Sequence, residues 1–130
     1  MTTCDVCISG WDGDEADLYN ESFPKARRPH TCCECGSPIE PGAKYHRVAG
    51  KWEYLDVHVT VYRTCMLCHE IRDVFSCGRG FVFESLWEDM QEYAFERLTT
   101  ASPCFTKLSA AAKQYVLERW NQWKLQKVTA

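Results

Sequence analysis

The sequence contains no long hydrophobic run. Hydrophobic residues make up 45% of its 130 positions, yet no stretch approaches the ~18 consecutive apolar residues of a membrane span. Residues 1–7, Met-Thr-Thr-Cys-Asp-Val-Cys, have neither the basic start nor the apolar stretch of a secretory signal. A cytoplasmic location is therefore expected. No P-loop, no G-x-S-x-G elbow and no G-x-G-x-x-G turn is present, so the common phosphate-binding and nucleophile motifs are missing. There is no net basic charge: the sum is −3 and the pI about 5.8, unlike the strongly basic footprint of many nucleic-acid binders. Internal repeats and low-complexity tracts are also absent. A charged fraction of 25% is ordinary for a folded domain and excludes wholesale disorder.

What is abundant is cysteine, at nine residues. An odd number cannot pair completely within one chain, and disulfides are rare in a reducing compartment. Six of the nine fall in three C-x-x-C pairs: Cys4/Cys7, Cys32/Cys35 and Cys65/Cys68. Two intervening residues let both thiolates turn onto one ion at a Zn–S distance of about 2.3 Å. Cys32, Cys35, Cys65 and Cys68 therefore read as one tetrahedral structural zinc site. Redox chemistry at such a pair needs a thioredoxin-like βαβ setting, and none is visible. No ferredoxin-type run points to iron–sulfur.

A second site is less determined. Cys4 and Cys7 need partners, and the favoured set is Cys4, Cys7, Cys33 and Cys77, with His30 or His69 as substitutes. The alternative is that Cys4 and Cys7 belong to a frayed terminus with unligated thiols. Cys104 follows Ser-Pro, stands apart, and reads as a plain thiol.

Charge divides the chain into blocks. Residues 1–24 carry six acidic and no basic side chains, and residues 81–101 carry five acidic and one basic. Residues 25–80 and 102–130 are net basic. Residues 8–24, rich in turn formers, read as a solvated acidic loop; the Asp12-Gly-Asp-Glu run lacks the order and the later Glu of a calcium loop. Cys32–Gly36 reads as a metal knuckle and Pro41-Gly42 as a turn. Residues 44–48 read as a strand, 49–51 as a turn and 52–63 as a second strand, in which Val57, Val59 and Val61 alternate with His58, Thr60 and Tyr62. From Cys65, Leu67, Ile71, Val74 and Phe75 mark one face of a helix. Ser85-Leu-Trp-Glu88 reads as a capping box opening a helix with the stripe Leu86, Met90, Ala94, Leu98. A further helix is expected over 109–127, with Ala112, Val116, Trp120 and Trp123 on one side.

Knuckle, β-hairpin and a helix bearing the second Cys pair resembles the treble-clef zinc finger, over roughly residues 30–77. The expected fold is α+β: an acidic segment over 1–29, a treble-clef module over 30–80 and a two-helix extension over 81–130. Cys32-Cys-Glu-Cys-Gly36 followed by Pro41-Gly42-Ala-Lys-Tyr45 is also similar to a stretch in small phage and prophage zinc-binding proteins. That resemblance implies a mobile-element origin rather than an activity.

Catalysis is not expected. Treble-clef nucleases need a paired histidine constellation, and His46, His58 and His69 do not match its order. The H-x-E and P-C-x-x-C signature of zinc deaminases is missing, and a four-thiolate zinc has no open position for water. Binding remains. Five Trp, six Tyr and six Phe, with two acidic blocks, suit a protein partner. Joined to the phage resemblance, they point to a non-enzymatic regulator that binds and inhibits a host protein complex. The alternative is a nucleic-acid-binding finger using basic and aromatic residues between 25 and 72, with Arg27, Arg28, Arg47 and Arg63 as its contacts.

Overall fold

The computed structural model describes residues 6–8, 18–51, 59–77 and 83–129. These fall into two compact units, one from residues 12–69 and one combining 1–11 with 70–130. The fold is mixed, with small antiparallel sheets and four α-helices among the described residues.

In the first unit, β1 (Leu18–Ser22), β4 (Tyr45–Lys51) and β5 (Thr60–Cys65) form a three-stranded antiparallel sheet in the order β1-β4-β5. β2 (His30–Thr31) and β3 (Pro38–Ile39) form a separate two-stranded ribbon. Two expectations are corrected. Residues 18–22, expected within a loop, are a strand, because β4 supplies a full pairing partner from Leu18↔Lys51 to Ser22↔Arg47. Residues 49–51, expected to turn, continue β4: Gly50 pairs with Tyr19 on one side and Thr60 on the other. Neighbours on both edges commit the backbone of β4 to ladder hydrogen bonds, which outweighs the weak strand preference of Gly. Of the expected second strand, residues 52–58, with Val57 and His58, lie outside the described residues.

Turn chemistry behaves as the sequence implies. Ala43 N–H donates to the Glu40 carbonyl at 3.0 Å, with Gly42 at φ +89°. Pro41 and Gly42 thus occupy the two central positions of a type II turn, of which the second requires positive φ. The knuckle closes through the Gly36 N–H on the Cys32 carbonyl at 3.0 Å, with Gly36 at φ +74°.

α1 (Met66–Phe75) follows β5 directly. Its expected face is present, with Ile71 and Phe75 fully buried. In the second unit, α2 (Leu86–Asp89) continues into a π-helical turn over Met90–Ala94, where Phe95 N–H reaches back five residues to the Met90 carbonyl. The stripe Leu86, Met90, Ala94 and Leu98 is buried throughout. The expected capping box does not form: Ser85 makes no side-chain cap and sits at φ −124°, ψ 9°, away from the extended geometry that aims a cap at the helix. An unexpected short helix, α3 (Pro103–Thr106), follows Ser102 with proline in its first turn, where a missing N–H costs nothing.

α4 (Ala110–Thr129) is capped by Ser109, whose Oγ accepts from Ala112 N–H at 3.3 Å. Glu70 on α1 accepts both the N–H (2.6 Å) and the hydroxyl (2.8 Å) of Ser109. Ala112 and Val116 are buried, the Trp120 indole donates to the Phe95 carbonyl at 3.0 Å, and the Trp123 ring lies 5.6 Å from that of Phe95. No described helix is long and apolar enough to cross a membrane.

Candidate metal centre and basic pocket

The knuckle after β2 presents Cys32 and Cys35, while the β5–α1 junction presents Cys65 and Cys68. All four sulfurs lie within 4.8 Å of one another, and Cys35 Sγ is 3.9 Å from Cys65 Sγ. Four thiolates around one ion at about 2.3 Å put neighbouring sulfurs about 3.8 Å apart, so the cluster has the dimensions of a tetrahedral site. Cys32 and Cys68 are buried.

Backbone amides address the sulfurs as they do around thiolates. Cys32 Sγ accepts from Glu34 N–H at 3.4 Å and from Cys65 N–H at 3.3 Å, and Cys65 Sγ accepts from Cys68 N–H at 3.5 Å. Such outer hydrogen bonds orient ligands and stabilise their charge. Bonds from Cys32, Cys65 and Cys68 hold the Cys35 thiol well below its ordinary pKa, while crowding by Cys32, Cys35 and Cys65 pushes Cys68 up. Four sulfurs this close cannot all ionise without a cation among them, and a soft dication is the natural one.

The basic residues converge beside this centre. A cavity of about 340 Å³ is lined by Lys25, Arg27, Arg28, Arg47 and Arg63, with His30, Tyr45 and Ser22 completing its wall. The strand register explains the convergence. Tyr45 pairs with Cys65, and Arg47 pairs with Arg63. Alternate residues of a strand share a face, so Tyr45, Arg47, Arg63 and the ligand Cys65 project from one side of the sheet. Cys33 N–H donates to the Arg63 carbonyl at 2.8 Å, which ties the knuckle to the strand carrying that arginine.

Two arginines directly opposite each other disfavour the pairing, and among the described residues no acidic side chain lines the cavity. The Nε of Arg63 is buried without a hydrogen-bond partner, a cost that folded proteins seldom leave uncompensated. Burial, followed by the Arg63 and Arg28 guanidiniums, holds His30 below the usual histidine range. Among the described residues the pocket is thus lined by cations and no carboxylate, a setting suited to an anion.

The opposite face of the sheet carries His46, 1% exposed, whose Nε2 lies 2.7 Å from Glu21 Oε1. The His69 ring is 4.1 Å from that of His46, and Phe23 lies against both. His69 and His30 are therefore placed elsewhere than at a second cysteine cluster.

That cluster does exist, in the second unit, with different membership. Cys7, Cys77 and Cys104 lie within 4.8 Å of one another. Cys33, expected among them, instead contacts Thr64 Oγ1 at 3.3 Å. Cys104, expected to be a plain thiol, is 1% exposed with its sulfur 3.5 Å from Cys77 Sγ. Nothing in the sequence near Cys104 marks it, since it has no C-x-x-C partner. Cys4 lies outside the described residues. Both clusters have the donors to bind metal ions.

No protein-family model, curated protein or solved structure matches the chain.

Proposed function

We propose that the chain is a zinc-stabilised binding module that holds a nucleic-acid strand by its phosphates, without catalysing a reaction on it. The observation that carries this reading is the cavity in which Arg27, Arg28, Arg47, Arg63 and Lys25 meet, with no acidic side chain among its described lining residues. Arginine suits phosphate because its planar fork donates two parallel hydrogen bonds. The net negative charge of the chain does not count against a local cationic surface, since the acidic residues concentrate in 1–24 and 81–101.

Zinc at Cys32, Cys35, Cys65 and Cys68 serves as a structural ion in this reading. It joins the knuckle to the β5–α1 junction in the manner of a treble clef, and so fixes the strand from which Arg63 projects. Four thiolates leave it no vacant coordination position.

The protein-partner reading rests on acidic blocks and aromatic surplus. Much of that surplus is used internally: Phe75, Trp87, Phe95 and Phe105 are buried, and Trp120 is hydrogen-bonded to the backbone. The cationic pocket therefore favours nucleic acid over the inhibition of a host protein complex.

The test is fluorescence anisotropy with a labelled single-stranded oligonucleotide and zinc-loaded protein. Charge reversal, Arg47→Glu with Arg63→Glu, is expected to abolish binding while preserving zinc content. Unchanged affinity refutes the assignment. A stoichiometric protein partner that survives nuclease treatment in a pull-down, with no oligonucleotide binding, would establish the protein-partner reading instead.

A further inference from the structure

We infer that the basic cavity receives the end of a nucleic-acid strand, with a terminal phosphate monoester at Arg63 and the terminal base against His30. The inference rests on the reading of this cavity as a phosphate site, and the residues it uses all lie within 12–69.

The size of the cavity favours an end over a strand that runs through. Its volume of about 340 Å³ is at the small end of the ~300–1,000 Å³ of single-ligand pockets. Grooves that track a strand follow it for ~4–16 nucleotides in OB-type binders. A cavity of single-ligand dimensions suits a strand that stops in it.

The walls are fixed in advance. Tyr45 and Arg47 come from β4, Arg63 from β5 and Ser22 from β1. The remaining cations, Lys25, Arg27 and Arg28, come from a segment that backbone hydrogen bonds stitch to β4 and to the turn before it. Tyr45 N–H donates to the Pro24 carbonyl at 3.1 Å, Ala26 N–H to the Ala43 carbonyl at 2.9 Å, and Gly42 N–H to the Ala26 carbonyl at 2.8 Å. Ala26 is buried and anchors the segment from the middle. The cations are thus placed before a ligand arrives, which lowers the cost of binding.

Arg63 marks the place of the terminal phosphate. Its Nε is buried and has no hydrogen-bond partner among the described residues, so it calls for an acceptor. A terminal monoester offers three acceptor oxygens and a charge of about −1.5 to −2 near neutral pH. An internal diester has fewer unbridged oxygens and a single charge. The additional charge is attracted by the whole cluster, because cations lining one cavity act on it together. The other four cations remain for the phosphates that follow.

His30 gives the end a second contact. Its half-buried ring lines the cavity and lies 5.5 Å from the ring of the buried Tyr45, tilted by 52°. The last base of a single strand has one face unstacked, and an aromatic ring so placed can cover it.

The test is anisotropy at fixed salt with zinc-loaded full-length protein and one internally labelled oligonucleotide in four forms. These carry a phosphate on the first nucleotide, a phosphate on the last, hydroxyls at both ends, or no end at all, the strand being closed into a circle. One phosphorylated form is expected to bind about tenfold or more tighter than the hydroxyl-ended form, the worth of one further hydrogen bond between charged groups. The circle should bind no tighter than the hydroxyl-ended form, and Arg63→Gln should erase the preference while keeping its zinc. Equal binding of all four forms overturns the inference and leaves the strand reading standing. Binding of none overturns both. A preference that persists in Arg63→Gln overturns the placement at Arg63. Should that variant fail to fold, the Arg63 Nε–H resonance of the wild type decides. A shift with the preferred phosphorylated form that the hydroxyl-ended form does not produce supports the placement, and no shift overturns it.

Discussion

The salt dependence of nucleic-acid binding gives the sharpest check on the basic pocket. Each phosphate neutralised by a side chain releases condensed counterion, so log K falls with log salt at about 0.7 per contact for a single strand. Five cations line the cavity: Lys25, Arg27, Arg28, Arg47 and Arg63. One phosphate for each gives a slope of about −3.5. Raising salt from about 50 to about 200 mM then weakens binding roughly a hundredfold, or about 2.8 kcal/mol.

The slope also tests where the contacts are. Replacing Arg47 alone by Gln removes about 0.7 from it, and replacing all four arginines leaves about −0.7, the share of Lys25. The assay is anisotropy of a labelled oligonucleotide titrated at four or more salt concentrations, with zinc content checked for each variant. A wild-type slope shallower than about −1, or one that the arginine variants do not reduce, refutes the assignment of phosphates to this pocket.

Other outcomes follow from the same geometry. Chelation of the metal at Cys32, Cys35, Cys65 and Cys68 should remove the strand signal of residues 12–69 in circular dichroism. Acidification should release the ion as thiolates protonate, because zinc binds only the deprotonated form. His30 is held low by burial and by Arg63 and Arg28, so a bound polyanion should raise its pKa, observable by NMR. Binding then takes up protons, and affinity should increase as the pH is lowered toward about 6.5. In the unliganded protein the sign is opposite: the unfolded chain binds that proton more readily, so stability declines as pH falls through the same range. Ser109→Ala removes the cap of α4 and one bond to Glu70, and should cost about 1 kcal/mol in denaturant unfolding. Phe75→Ala, at a fully buried position of α1, should cost roughly 3–5 kcal/mol and lower Tm.

The legible parts of the molecule were those encoded within a few residues. The C-x-x-C pairs, the positive-φ glycines at 36 and 42, and the helical stripes each carry their own geometry. β1 was not legible, because Leu-Tyr-Asn-Glu-Ser has no alternation of its own; it becomes a strand through the edge that β4 offers. The extension of β4 through Gly50 likewise depends on neighbours supplied from 31 residues before and 10 after. The four arginines were identifiable as basic residues near a finger, but their convergence depends on the Arg47↔Arg63 register. Cys104 lay furthest from sequence reasoning. Its partners are 97 and 27 residues away, and neither periodicity nor spacing links it to them.

The pairing of Tyr45 with Cys65 has a consequence for the sheet as a whole. A strand displaced by one residue presents all its side chains to the wrong face. A slip of β5 would turn Cys65 away from Cys32 and Cys35, and a slip of β4 would exchange the sides of His46 and Arg47. An ion requiring four sulfurs accepts only the aligned arrangement. A metal held by these four sulfurs would therefore act as an arbiter of strand alignment, rejecting a slipped β5.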